Sequence, residues 1–195
     1  VVTMAFALAE CFFRGFDAFP AVLSQGEFDR ILVRPRNVVF QVLAAKMEFT
    51  RIGRLLQAML VLCYALPKSG IQWNWDKILT LMFMIVGGVG VFSGLFLLFA
   101  GLCFFTVEGL EFMNVFTDGG REFGQYPLAV YGKEVLKFFT FVVPHALFQY
   151  YPLLYLTGRS DSKLYMLLPL LALWFWVPCL CVWKIGLRRY RSTGS

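Results

Sequence analysis

The chain of 195 residues is 59% hydrophobic and 18% aromatic but only 15% charged, with a formal net charge of +6. Soluble globular domains carry roughly 25% charged residues, so this composition, with a mean hydropathy of +0.68, excludes that class in favour of an integral membrane protein. The excess of positive charge then belongs to loops on the cytoplasmic side of a bilayer, because no basic run interleaved with aromatics offers a nucleic-acid surface.

The opening "VVTMAFALAE" reads as the middle or end of an apolar helix. It has no basic n-region and no small-residue cleavage site, so it is not a signal peptide. Val1 is not an initiator methionine, and the expectation is that the sequence starts inside a longer chain. Residues 1–19 form the tail of a span in which Glu10, Arg14 and Asp17 share a helical face through spacings of four and three.

Residues 26–37, "GEFDRILVRPRN", are the most charged patch. Ser24 and Glu27 fit a capping box. A short helix follows, with Phe28, Ile31 and Leu32 on one side and Asp29 and Arg30 on the other. Pro35 disfavours helix at Arg34 and ends it. Asn37 then caps a second helix through "VVFQVLAAKMEF" into the next span. Such a rigid amphipathic elbow suits an anchor in lipid headgroups and a contact with a partner equally well.

The next span has its apolar core at 55–66, before Pro67, and borrows amphipathic residues from about Met47 onward, with Arg51 and Arg54 snorkelling to one interface. Residues 78–107 then run without a charge. At about 1.5 Å per residue, 30 residues of helix reach about 45 Å, beyond a hydrocarbon core of roughly 30 Å, so this helix tilts, kinks or projects. Gly87, Gly88, Gly90 and Gly94 mark its bend or close-packing point. "GGVGVFSG" superficially resembles a phosphate-binding loop, but it lacks a lysine followed by Ser or Thr, and Gly90 with Gly94 is a small-xxx-small packing element.

The loop 107–137 mixes acids with aromatics. Asp118, Gly119 and Gly120 signal a turn, and the flanking pieces suit short helices at the membrane surface. Residues 138–156 form a span that Pro144 and Pro152 break. It holds the only histidine, His145, with Gln149 four residues on. Polar groups at membrane depth are candidates for the substrate path; a buried His–Gln hydrogen bond, or a bond to a carbonyl freed by the proline, explains them as well. The last span, 164–183, is kinked by Pro169 and Pro178. The five cysteines, Cys11, Cys63, Cys103, Cys179 and Cys181, lie in or beside apolar runs, without the spacing of a disulfide framework or a zinc site.

With 26–54 cytoplasmic, 107–137 and 184–195 also fall inside, and 67–77 and 157–163 outside. The inner segments hold thirteen lysines and arginines, and the outer turns hold four, Lys68, Lys77, Arg159 and Lys163. That asymmetry follows the positive-inside rule, and Trp73 and Trp75 fit an interfacial aromatic belt. The expectation is one membrane domain over 1–195, with a cytoplasmic segment at 24–50.

"GEFDRILVRPRN" followed by "RIGRLLQ", together with "YPLAVYGKEVLKFFTFVVPHALFQYYP" and "WKIGLRRYRSTGS", resembles the membrane permease of bacterial type-2 ATP-binding-cassette (ABC) exporters, the ABC-2 family transporter proteins. The resemblance runs from about Ala5 to Ser195. It implies an all-α integral membrane protein, a helical bundle of six spans with about five visible here, the first partial. It implies multi-pass insertion in the bacterial inner membrane with both termini cytoplasmic. It also maps the family's ATPase-docking coupling helix onto 26–35, so that Gly26, Glu27, Phe28, Asp29, Arg30, Leu32, Arg34 and Pro35 become ATPase-contact residues. The implied partners are a second permease, identical or related, and two separate ATPase subunits. ATP and Mg sit on those subunits, and no cofactor is expected on this chain. Two other classes compete: an ATP-independent channel or carrier built around His145 and Gln149, and an intramembrane enzyme acting on lipid. The lack of a recognisable nucleophile or acid–base set argues against the enzyme. The aromatic-rich spans suit a hydrophobic or cationic amphiphile as cargo, though lipid-facing aromatics explain them equally.

Overall fold

A computed structural model describes residues 1–45, 52–106, 111–123, 126 and 132–190. The described residues are helical throughout their regular structure. In chain order the helices are α1 (Val2–Phe13), α2 (Phe19–Ser24), α3 (Glu27–Val33), α4 (Val38–Ala45), α5 (Ile52–Lys68), α6 (Trp75–Cys103), α7 (Glu111–Phe123), α8 (Lys133–Phe141), α9 (His145–Phe148), α10 (Tyr150–Leu156), α11 (Leu164–Leu171) and α12 (Trp176–Arg189). A 3₁₀ segment, Arg14–Ala18, joins α1 to α2, and a second, Ala172–Phe175, joins α11 to α12.

Two stretches among the described residues are long and apolar enough to cross a membrane: α6, with 29 residues, and Leu164–Arg189, with 26. α6 is the centre of the bundle, with α1, α11 and α12 against it. Asn74 starts it by accepting the Trp75 amide at 2.8 Å. α6 runs unbroken past its glycines, so these serve close packing, not a bend. A Cβ at Gly87 would lie 2.5 Å from the Pro169 carbonyl oxygen, so only glycine lets α11 approach this closely. The Gly90 carbonyl accepts the Trp176 indole N–H at 2.8 Å and the Ser93 hydroxyl at 3.0 Å.

The prolines interrupt the other spans as the sequence suggests. The 3₁₀ segment lies between Pro169 and Pro178. The stretch at 138–156 is divided into α8, α9 and α10, with its first break at Val143 and Pro144. Pro67, by contrast, is accommodated inside the last turn of α5.

The polar face of the first span closes into a chain of ion pairs. Arg14 binds Glu10, its Nε lies 3.1 Å from Asp17 Oδ2, and Arg54 Nη1 reaches the other Glu10 oxygen at 2.6 Å. Glu10 is fully buried. Arg54 thus reaches onto α1, because a buried carboxylate needs its partners. Arg51 lies outside the described residues.

Two local expectations fail. The helix α7 continues straight through Asp118, Gly119 and Gly120, where a turn was expected. The capping box does not form: Ser24 is used up in the last turn of α2, its hydroxyl donating to the Ala21 carbonyl at 3.0 Å. Gly26 takes its place, at φ 70°, closing α2 in the left-handed conformation and starting α3 without a side-chain cap.

Candidate functional site

The elbow at 26–37 is built as the sequence suggests beyond its first residue. Arg34 is extended at ψ 131° before Pro35 and ends α3. Asn37 Oδ1 accepts the Val39 amide at 3.0 Å and caps α4. Gln41 Nε2 donates to the Arg36 carbonyl at 3.0 Å, tying α4 back across the bend.

The two sides of α3 do different things. Phe28 is fully buried. Its ring meets Phe19 at 5.2 Å, Phe104 at 5.5 Å and Tyr190 at 4.9 Å between centroids, all edge-on. The neighbouring Trp183 lies 5.1 Å from Phe19 and 5.2 Å from Phe104. Asp29 accepts the Tyr190 hydroxyl at 3.1 Å. Burial, and then the Asp29 carboxylate, hold that hydroxyl above its ordinary pKa, so it remains a donor at neutral pH. These contacts fix α3 to the ends of α6 and α12. Phe28 was expected on an outward apolar ridge; in the folded chain its ring has no free face for a partner.

The outward side carries Glu27, Arg30, Leu32, Val33, Arg34 and Pro35. Val33, at 84% exposure, is the most open apolar residue of the helix, and the sequence reading missed it because its side of a seven-residue helix has no periodic neighbour. Beside it, Ile31, Arg34, Pro35, Arg36, Phe40 and Gln41 line a cleft of about 640 Å³ across the elbow. Gly26 is half-buried behind this face. Chemically, the surface is a cationic and apolar shelf on a braced helix.

His145 and Gln149 do not form the expected pair. α9 ends at Phe148, and Gln149 sits at φ −116°, ψ −61° between α9 and α10. His145 is 2% exposed, and neither of its ring nitrogens has a hydrogen-bond partner among the described residues. Its ring is boxed by Phe92 at 5.2 Å, Phe139 at 5.5 Å and Phe148 at 5.6 Å. The backbone of α7 closes the box: a Cβ at Gly120 would stand 2.5 Å from His145 Nε2.

The profile of one protein family, described as ABC-2 family transporter protein, matches residues 1–194. No curated protein and no solved structure matches the chain.

Proposed function

The chain belongs to the ABC-2 family of transporter proteins, as a membrane permease component of an ABC transporter, and on that premise we propose that it is the permease of an ATP-driven exporter. In this reading α3 is the coupling helix. ATP closes a dimer of separate ATPase subunits, α3 moves with them, and two paired permeases rock between inward- and outward-facing states. The chain threads the bacterial inner membrane several times as one domain, with the elbow at 24–50 on the cytoplasmic side. ATP and Mg belong to the ATPase partners.

The observation that supports this best is the division of α3. One side, Phe28 and Asp29, is locked to the ends of both long helices. The other, with Glu27, Arg30, Leu32, Val33 and Arg34, is exposed. A helix anchored only in headgroups needs no such bracing, whereas a lever must pass displacement without deforming. Arg30 and Arg34 call for an acidic rim on the ATPase, and Leu32 and Val33 for an apolar groove within it. His145 and Gln149 remain the substrate-path residues of this reading, His145 because a buried polar ring whose nitrogens have no partner among the described residues awaits a ligand or a change of state.

The test is co-purification and coupling. An ABC ATPase should come down with the chain in detergent. Arg30→Glu with Arg34→Glu places like charges against the acidic rim, which costs several kcal/mol. Cargo-stimulated ATP turnover should then fall by about tenfold or more, while the permease still inserts and keeps its thermal stability. Unchanged turnover in the double variant, or flux by the purified chain without any ATPase, overturns the assignment.

A further inference from the structure

The helix α7 reaches deeper than a surface helix does. Arg121 lies 5.2 Å over the Phe6 ring, and Phe6 packs on Phe92 at 5.0 Å. Phe92 is 11 residues inside the Cys103 end of α6, about 16 Å at about 1.5 Å per residue. Gly120 rests on His145 in that same layer. Thr117, Gly120 and Arg121, spaced at three and four, therefore face the bundle, while Asp118 and Glu122 are exposed and Glu122 pairs with Arg121. An exposed carboxylate at this depth, Asp118, is unfavourable against lipid, so the outer face of α7 looks onto water or a polar path. α7 thus stands between that path and His145.

The covered state is imperfect. Among the described residues His145 has no partner for either ring nitrogen, and unmet buried polar atoms raise the free energy of the state that holds them. Gly120 is what makes the cover fit, since any side chain there would strike the imidazole. Among the described residues the seat is made by Arg121 over Phe6, Gly120 on His145, the buried Thr117 and the Phe116 ring 6.2 Å from Phe138, with Pro144 at the start of the helix beneath.

We propose that α7 is a movable cover over His145, closing the path when seated and, when lifted, presenting the imidazole as a hydrogen-bonding group to the transported molecule. This rests on the transport reading above. Seating and lifting exchange one set of contacts for another: Gly120 on His145 and Arg121 on Phe6 in the covered state, water or cargo on the imidazole in the uncovered one.

The experiment uses His145→Cys in the full chain with its five native cysteines changed to alanine, and follows reaction with a small methanethiosulfonate reagent. Ala146→Cys, equally buried, is the control for general loosening. In the permease alone, adding Arg121→Glu frees the tip of α7. A cover closed for all but about 0.1–10% of the time slows labelling by about tenfold or more, so labelling of the thiol at position 145 should rise by that factor while the thiol at position 146 stays slow. In the complex with its ATPase, vanadate trapping should change the rate at position 145 by a similar factor. If His145→Cys does not assemble, Thr117→Cys on the same inward face of α7 reads the same event. Equal rates with and without Arg121→Glu, or parallel rises at both positions, overturn the cover. Failure of an ATPase to associate overturns the coupling reading alone, since the permease-only comparison still decides whether α7 lifts.

Discussion

Phe28 sits edge-on to three rings, at 4.9–5.5 Å, on the buried side of a helix whose other side is exposed. That position separates two ways of disabling the elbow. Phe28→Ala empties a fully enclosed aromatic site and should cost about 3–5 kcal/mol, read as a fall in the thermal unfolding midpoint of the purified transporter. Its effect on ATP coupling should follow from loosening of α3, and Phe28→Leu, which refills most of the space, should recover most of both. The Arg30 and Arg34 reversals should show the opposite profile, losing coupling with the midpoint unchanged. A Phe28→Ala protein that keeps its midpoint would return this ring to the docking face. The sequence could announce an apolar residue on α3 but not which way it faced. Its partners, Phe104 and Tyr190, lie 76 and 162 positions away, and a seven-residue helix has too few apolar positions to define a side by periodicity. For His145 the sequence marked a polar group inside an apolar stretch, and the fold buries it; its neighbour Gly120 has no side chain to signal a contact.

At the scale of elements, the glycines of α6 separate backbone clashes from side-chain clashes. A methyl at Gly87 would meet the Pro169 carbonyl oxygen at 2.5 Å, with its carbon at 2.9 Å, in a backbone that cannot step aside without moving α11. At Gly90 the obstruction is the far end of the Leu173 side chain, which can change rotamer. Gly87→Ala should therefore be the more damaging by about 1–3 kcal/mol, the usual cost of overpacking, measured by thermal unfolding in nanodiscs. Equal effects, or the reverse order, would show that α11 gives way as easily as one leucine side chain. Much at this scale was legible. Proline and charge marked the breaks near Pro144 and Pro169 and the stop at Arg34 because they act through local backbone chemistry. The capping box failed because two signals overlapped: Ser24 and Gly26 both compete to shape the junction, and with α2 running to Ser24 the left-handed glycine prevails. The turn at Gly119 and Gly120 failed because packing against Phe6 and His145 outweighs glycine's poor helix propensity, about 1 kcal/mol per residue.

Across the whole molecule, the inner cluster joins three parts of the chain into one body. Phe19 follows the first span, Phe28 belongs to the elbow, and Phe104, Trp183 and Tyr190 come from the ends of α6 and α12. On the other flank, the Asp17–Arg14–Glu10–Arg54 chain ties α1 to α5. A displacement delivered to α3 would pass through the aromatic cluster directly to the ends of α6 and α12, whereas the Pro144 break and the 3₁₀ segment Ala172–Phe175 lie away from that cluster, where bending is cheaper. The molecule should therefore move as a stiff inner half hinged to an outer half. Paired spin labels test this in a background free of native cysteines. Val33→Cys on the elbow and Ile185→Cys on α12 are both exposed, at 84% and 48%, and belong to the same stiff half. Their distance distribution should stay within about 2 Å between nucleotide-free and vanadate-trapped complexes, because packed cores switch between discrete arrangements and do not stretch. A second pair, Val33→Cys with Leu164→Cys at the far end of α11, spans the 3₁₀ segment and should shift by more than the first. Adding Phe28→Ala should broaden the first distribution. A first pair that moves as far as the second would mean that the elbow slides over the bundle, and the drive would then have to enter the membrane by another route.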